Sequence, residues 1–423
     1  MSDIRRIIVS IMLILWIAAC APPTPSVLPE VGIVRHPGPD PWLAGRTEIT
    51  SIPKFDPNST DYIKVDLRSR DLTKIHMTTS LPDLMYATFD SKTKWPASVP
   101  VDFDWKRIME IGKDPGLGIR ALHAQGINGK GIGIAIIDQP LLVDHQEYKE
   151  RLRLYEEINI QPDNPAMMHG AAVASIAAGK TVGVAAESDL YYIGAWTGDS
   201  DPETHEFTWN FKYYAQAVHR ILEINEVLPA DRKIRVITMQ VGWLPDWTGS
   251  DEITAAVDEA KAAGIFVISS NLHPTYGLYF QGLGRDPLAD PNQFGLYRPG
   301  LWWEKDFFAG QPSEQHAGLP PDFYSRESMK NMLLVPMDSR TTASPTGNED
   351  YVFYREGGWS WSIPYLGGMY ALAAQVRPEI TPEEFWETAL QTGRTIQFQH
   401  DGKNYEFGVI LDPGALIEAL KNK

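Results

Sequence analysis

Cysteine is nearly missing from this chain: Cys20 is the single example in 423 residues. One thiol excludes intramolecular disulfides, so burial and hydrogen bonding must hold the fold. Positive charge is also short. Lysine and arginine number 38 against 54 aspartates and glutamates, a net charge of −16. That balance argues against a nucleic-acid partner and against electrostatic docking on anionic lipid. Long apolar runs are few, and the one at Ile7 to Ala19 is too short for a comfortable transmembrane helix. No metal-ligand spacing, phosphate loop or dinucleotide fingerprint occurs, so no cofactor is expected. What is present is enough for a sizeable core: 43% apolar and 11% aromatic residues exclude global disorder. The length suits two or three average domains, or one large α/β domain with extensions.

The N-terminus reads as an address. Arg5 and Arg6 precede the apolar run, which has the length of a signal-peptide core. It ends in Ile17-Ala18-Ala19-Cys20, which resembles a bacterial lipobox, with small residues for a narrow peptidase site and a thiol to receive diacylglycerol. On this reading residues 1–19 are a lipoprotein signal peptide, and lipidated Cys20 anchors the chain on the extracytoplasmic face of the cell membrane. An ordinary signal peptide or an uncleaved anchor helix are the alternatives. Residues 20–60, opening on APPTPS, read as a Pro-rich linker that stays extended. In the extension at 61–114, Leu67, Leu72 and Met77 recur every fifth residue, with Asp66 and Asp71 ahead of the leucines. With ATFDSKTKWP (Ala87 to Pro96), this resembles a fragment of a pentapeptide-repeat coil. Accidental leucine spacing in an irregular extension is the other reading. Either way the segment is too small to stand alone and is expected to pack on the main domain.

From residue 115 to the end, apolar strands alternate with helices. GKGIGIAIID reads as a buried strand and HGAAVASIAAG as a helix of small residues. ESDLYYIGAW, IRVITMQVG, IFVISS and NMLLVPM read as further strands. An amphipathic helix is expected from about Glu206 to Leu228, and a buried one over WSIPYLGGMYALAAQV. TPEEFWETALQTG opens with a helix-start signature. Such alternation predicts an α/β fold with a mostly parallel central sheet and helices on both faces.

Three residues stand where chemistry is expected. Asp138 follows a strand, at the end that faces the ligand crevice in parallel sheets; taken alone it also fits a turn or a helix cap. His169 opens a slim helix able to press on the sheet, over the strand ends. Ser360 opens a buried helix, where its backbone N–H and the helix dipole face the start; alone it also reads as a cap. Ser362 is a second nucleophile candidate by register. The aromatic residues Trp302, Trp303, Phe307 and Phe308, with Tyr276 and Tyr297, read either as a peptide cleft or as loop core.

In this order, IGIAIIDQPLLVDH, MHGAAVASIAAG and GGWSWSIP resemble the active-site frame of the subtilisin-like serine peptidases (subtilases). FGVILDPGALIEAL resembles that family's closing strand and helix. The resemblance implies a subtilisin-like fold and a serine endopeptidase acting on protein or peptide substrates. Ser360 is then the nucleophile, His169 the base and Asp138 the orienting acid. Asn271 is the implied oxyanion donor, and Gln240, Val241 and Gly242 the strand that pairs with substrate. Calcium is common in the family, and no site for it is assigned. His145 is structural on this reading. Departures are concentrated at the site: Gln139 and Pro140 after the acid, Ala171 and Ala172 for the usual Thr and His. Gln240 replaces a Ser, and Trp359 and Trp361 replace Thr and Met. They motivate the alternative of a weak or inactive subtilase-fold lipoprotein that binds peptides or partner proteins.

Overall fold

Alternation within the strand Gly133–Asp138 explains the layering. Ile134 and Ile136 enter one apolar core while Ala135 and Ile137 enter another, as expected where successive side chains leave opposite faces of a sheet covered on both sides. The computed structural model describes residues 31–77, 80–316 and 319–423. Its central sheet has five strands, all parallel. Their spatial order is Leu152–Ile158, Asp189–Ala195, Gly133–Asp138, Ile234–Met239 and Phe266–Ser269. The helices Met168–Ala178 and Trp359–Val376 lie in one core. The helices Lys212–Val227 and Ser250–Ala262 lie in the other. The chain is thus α/β with a parallel central sheet.

Five further strands form a second sheet rather than extending the first. Its order is Arg298–Pro299, Tyr279–Gly284, Met332–Pro336, Lys403–Ile410 and Arg394–His400. The middle three are parallel and the outer two antiparallel. Asp401 and Gly402, both at positive φ, make the tight turn that folds Arg394–His400 back on its partner. Helix Trp359–Val376 packs on strands of both sheets, which is why it is apolar on all sides. The amphipathic helix begins at Lys212 rather than Glu206. Phe207–Trp209, rich in aromatic and β-branched residues, pairs with Gly198–Ser200 instead.

The N-terminal segments are laid on the domain. Within the expected linker, Gly32 and Val34 exchange backbone hydrogen bonds with Tyr155 at the edge of the central sheet (2.9 and 3.0 Å), and Leu43 is fully buried. The Arg35 guanidinium adds two bonds to the Glu157 carboxylate, at 2.6 and 2.8 Å. In the extension, Glu48, Asp71 and Lys94 pair in parallel as successive rungs, as do Val65–Asp66 and Ala87–Thr88. Leu67, Leu72 and Met77 fill a third core with Phe89, Phe103 and Phe353. Cys20 and the signal segment lie outside the described residues. Among those that are described, no helix is long and apolar enough to cross a membrane.

Candidate functional site

Asp138 ends its strand, and the loop after it receives the His169 helix. The Met167 N–H donates to the Pro140 carbonyl (2.8 Å), seating that helix on the acid's own loop. Gly170 makes the approach possible: a Cβ there would sit 2.6 Å from both the Gln139 carbonyl and the Tyr192 hydroxyl. As a result His169 Nδ1 lies 2.7 Å from Asp138 Oδ1. Asp138 also accepts the Gln139 N–H at 2.7 Å. The acid is almost wholly buried (4% of its side chain exposed) and the histidine one-fifth exposed. Burial pulls the His169 pKa down, but the Asp138 charge and hydrogen bond outweigh it, leaving a net rise from 6.5. A bond at Nδ1 leaves Nε2 as the nitrogen able to take a proton.

Ser360 stands at the second residue of its helix, after Gly358 as the cap. Ser360 is a partly exposed residue, while Ser362 is buried with an unpartnered hydroxyl in the core. Of the two, Ser360 is therefore the accessible one. Among the described residues the Ser360 hydroxyl makes one hydrogen bond, a long one of 3.5 Å to the Gln240 carbonyl. Trp361, one residue on, turns inward. Its ring meets the His169 imidazole edge-on at 5.6 Å and Tyr354 at 5.1 Å, walling the base with apolar surface. Asp138 and His169 thus meet at the carboxyl end of one central strand, and the Ser360 hydroxyl lies against Gln240, just past the end of the neighbouring one.

Residues 129–293 match the sequence profile of the subtilase family. That stretch contains Asp138, His169, Gln240–Gly242 and Asn271, and ends before Ser360. Over that stretch the chain is similar to the subtilases. It is 38% identical over 85 residues to the subtilisin-like protease PopC of Myxococcus xanthus (strain DK1622), a match covering 18% of each chain. The chain therefore spans less than a fifth of that relative's length. Among solved structures it is similar to the prenylagaramide maturation protease PagA, with 17% identity and a TM-score of 0.44. That match covers 72% of this chain and 99% of the other.

Asn271 lies just past the end of strand Phe266–Ser269, and its amide is committed. Oδ1 accepts the Trp243 N–H (3.2 Å) and Nδ2 donates to the Trp243 carbonyl (2.8 Å). One Nδ2 hydrogen remains for a ligand. Gly242 is forced by the same contact, since a Cβ there would meet Asn271 Oδ1 at 2.5 Å. The Val241 carbonyl accepts the Ser270 N–H, and the Gln240 side chain turns to Thr238 (3.0 Å). Beside Asn271 opens a mainly apolar cavity of about 400 Å3, walled by Trp243, Tyr279, Phe323 and Trp359.

Trp359 owes its position to residues that local sequence reasoning did not single out. Its indole N–H donates to Gln281 Oε1 (2.9 Å), and its ring packs on Phe280 and Trp302. Gln281 is fully buried on a strand of the second sheet. Of the aromatic cluster, Trp303, Phe307 and Tyr297 are core, whereas Trp302 supports the cavity wall from behind. Asp338, also unflagged, is buried and accepts the Gly357 and Leu301 N–H groups (2.8 Å each). His145 is buried against the Asp350 carbonyl, a structural setting that lowers its pKa by desolvation. Among the described residues no three His, Cys, Asp or Glu side chains group as a metal site, so none is assigned to calcium.

Proposed function

We propose that this subtilase domain is a serine endopeptidase, held on the extracytoplasmic face of the membrane by lipidated Cys20. The observation that carries the reading is the buried Asp138–His169 hydrogen bond, with the His169 ring against Trp361, the residue that follows Ser360 at a helix start. In the reaction, the Ser360 Oγ attacks the substrate carbonyl carbon while His169 Nε2 takes its proton. Asp138 stays ionised and stabilises the imidazolium, which then protonates the leaving amine. The acyl-enzyme is hydrolysed by water through the same base. The Ser360 N–H, at the positive end of its helix, and the uncommitted Nδ2 hydrogen of Asn271 face the developing oxyanion. Backbone at Gln240, Val241 and Gly242 pairs with the substrate strand. The cavity between Trp243 and Trp359 takes a bulky apolar side chain next to the scissile bond.

A second reading, a non-catalytic scaffold that binds peptides, is favoured by two contacts. The Ser360 hydroxyl rests on the Gln240 carbonyl, and the Asn271 amide is tied to Trp243. Resting sites often show loose catalytic hydrogen bonds that tighten around substrate, so these contacts are compatible with catalysis. A fluorophosphonate probe separates the readings. Labelling of the purified protein that disappears in Ser360→Ala is the expected result, and a folded wild type that takes no label overturns the peptidase. For the anchor, metabolic labelling with radioactive palmitate should be lost in Cys20→Ala. Retained label would refute lipidation at that thiol.

A further inference from the structure

The N-terminal extension reaches the nucleophile along a route that catalysis does not require. Strand Ala87–Asp90 pairs antiparallel with Tyr351–Tyr354, through Asp90 with Val352 and Phe89 with Phe353. The next three residues are pinned in turn. The Arg355 N–H donates to Thr88 Oγ1 (3.2 Å), its guanidinium Nε donates to the Met85 carbonyl (2.8 Å), and the same guanidinium lies over the Tyr86 ring. Glu356 receives Lys64 through both carboxylate oxygens, at 2.5 and 2.7 Å, with each side chain only 13% exposed. Gly357 is held from the main domain by Asp338. Gly358, Trp359 and Ser360 follow immediately. On the far side of the serine, the half-exposed Tyr62 approaches the Trp361 ring to 6.3 Å, and Trp361 is the residue that walls His169. Ile63, between Tyr62 and Lys64, packs on the main core.

The extension therefore grips the chain both before and after Ser360. It does not line the cavity beside Asn271, every lining residue of which lies at Gly242 or later. The segment supports the chain around Ser360 without filling that cavity.

We propose that residues 62–92 are a permanent intramolecular buttress, in which Lys64 and Tyr62 are positioning residues for the Ser360 segment and the extension is retained in the working protein. The catalytic part of this inference rests on the peptidase reading, and the test keeps the two apart. Lys64→Glu, Glu356→Lys and the double exchange are compared by two readouts, fluorophosphonate labelling rate and backbone amide exchange across residues 352–361. The second needs no activity. Lys64→Glu is expected to slow labelling and to speed exchange at 357–361, each by about tenfold or more, because a buried partnered charge is left facing its like. The double exchange restores both, which a merely misfolded chain would not do. Intact mass of the labelled wild type should include residues 61–114. Unchanged exchange in Lys64→Glu, a double variant no better than the single, or a labelled species lacking the extension would each overturn the buttress. A wild type that takes no label, with exchange still responding to the charge reversal and its rescue, would sink the peptidase reading and leave the buttress standing.

Discussion

His169 works between two opposing influences, and their balance can be measured. Burial favours the neutral ring and the Asp138 carboxylate favours the charged one, with the carboxylate prevailing. A base must be neutral to accept a proton, so labelling of Ser360 should fall on acidification with a midpoint above 6.5. In Asp138→Asn the raising influences are lost. The midpoint should move down, and the plateau rate should drop by about 10⁴ through the wrong tautomer; a midpoint that stays put would remove Asp138 from the mechanism. Asn271→Ala is expected to lower kcat by about 10²–10³. If the change appears in KM alone, the amide serves to hold Trp243 and not the oxyanion. Asp338 carries a pH signature of its own. Burial pushes its pKa up to about 7 from 3.8. The unfolded chain ionises first, so Asp338 contributes most stability below the unfolded value and loses it as pH rises through the folded one. Thermal melting of wild type against Asp338→Asn should show the wild type losing ground between pH 4 and 7. Parallel curves would refute the buried charge. Asp138, His169 and Ser360 could be singled out because each advertises itself locally, at a strand end or a helix start. Asp338, Gln281 and Lys64 were not, since each acts on a residue far along the chain and nothing in its own neighbourhood marks it.

Among elements, the His169 helix shows how composition becomes geometry. Its run of alanines and Gly170 lets the backbone approach the Asp138 loop closely enough for a 2.7 Å side-chain bond. Gly170→Ala would overpack that contact, costing about 1–3 kcal/mol. A lowered thermal midpoint together with slower labelling is the expected pair of results, and an unchanged melting curve would mean the two elements can part freely. The parallel strands and both long core helices were legible from apolar run length, because burial on both faces leaves few alternatives. Two elements were less so. Phe207–Trp209 reads equally well as the first turn of an amphipathic helix, and pairing with Gly198–Ser200 decided it. The Asp401-Gly402 turn is a strong hairpin signal, yet the polar Arg394–His400 strand it returns to lacks the alternation of a half-buried strand.

At the scale of the molecule, three apolar cores join through shared elements. Phe353 belongs to the extension's core while its neighbours Val352 and Tyr354 belong to the main one. That sharing explains why residues 61–114 cannot be treated as an appendage, and why five-residue leucine spacing alone could announce a coil without revealing what it leans on. The covered edge of the central sheet has a practical consequence for anyone preparing the soluble protein. Gly32 to Val34 occupy the backbone groups of Tyr155 that would otherwise offer a docking rail to a neighbouring molecule. A version beginning at residue 31 should be monodisperse in light scattering, whereas one beginning after Gly38 should self-associate through the bared strand. If the shorter version proves equally monodisperse, the edge is guarded by something else. Where the bared strand does self-associate, the choice of first residue, an apparently clerical decision in cloning, sets the colloidal behaviour of the whole preparation.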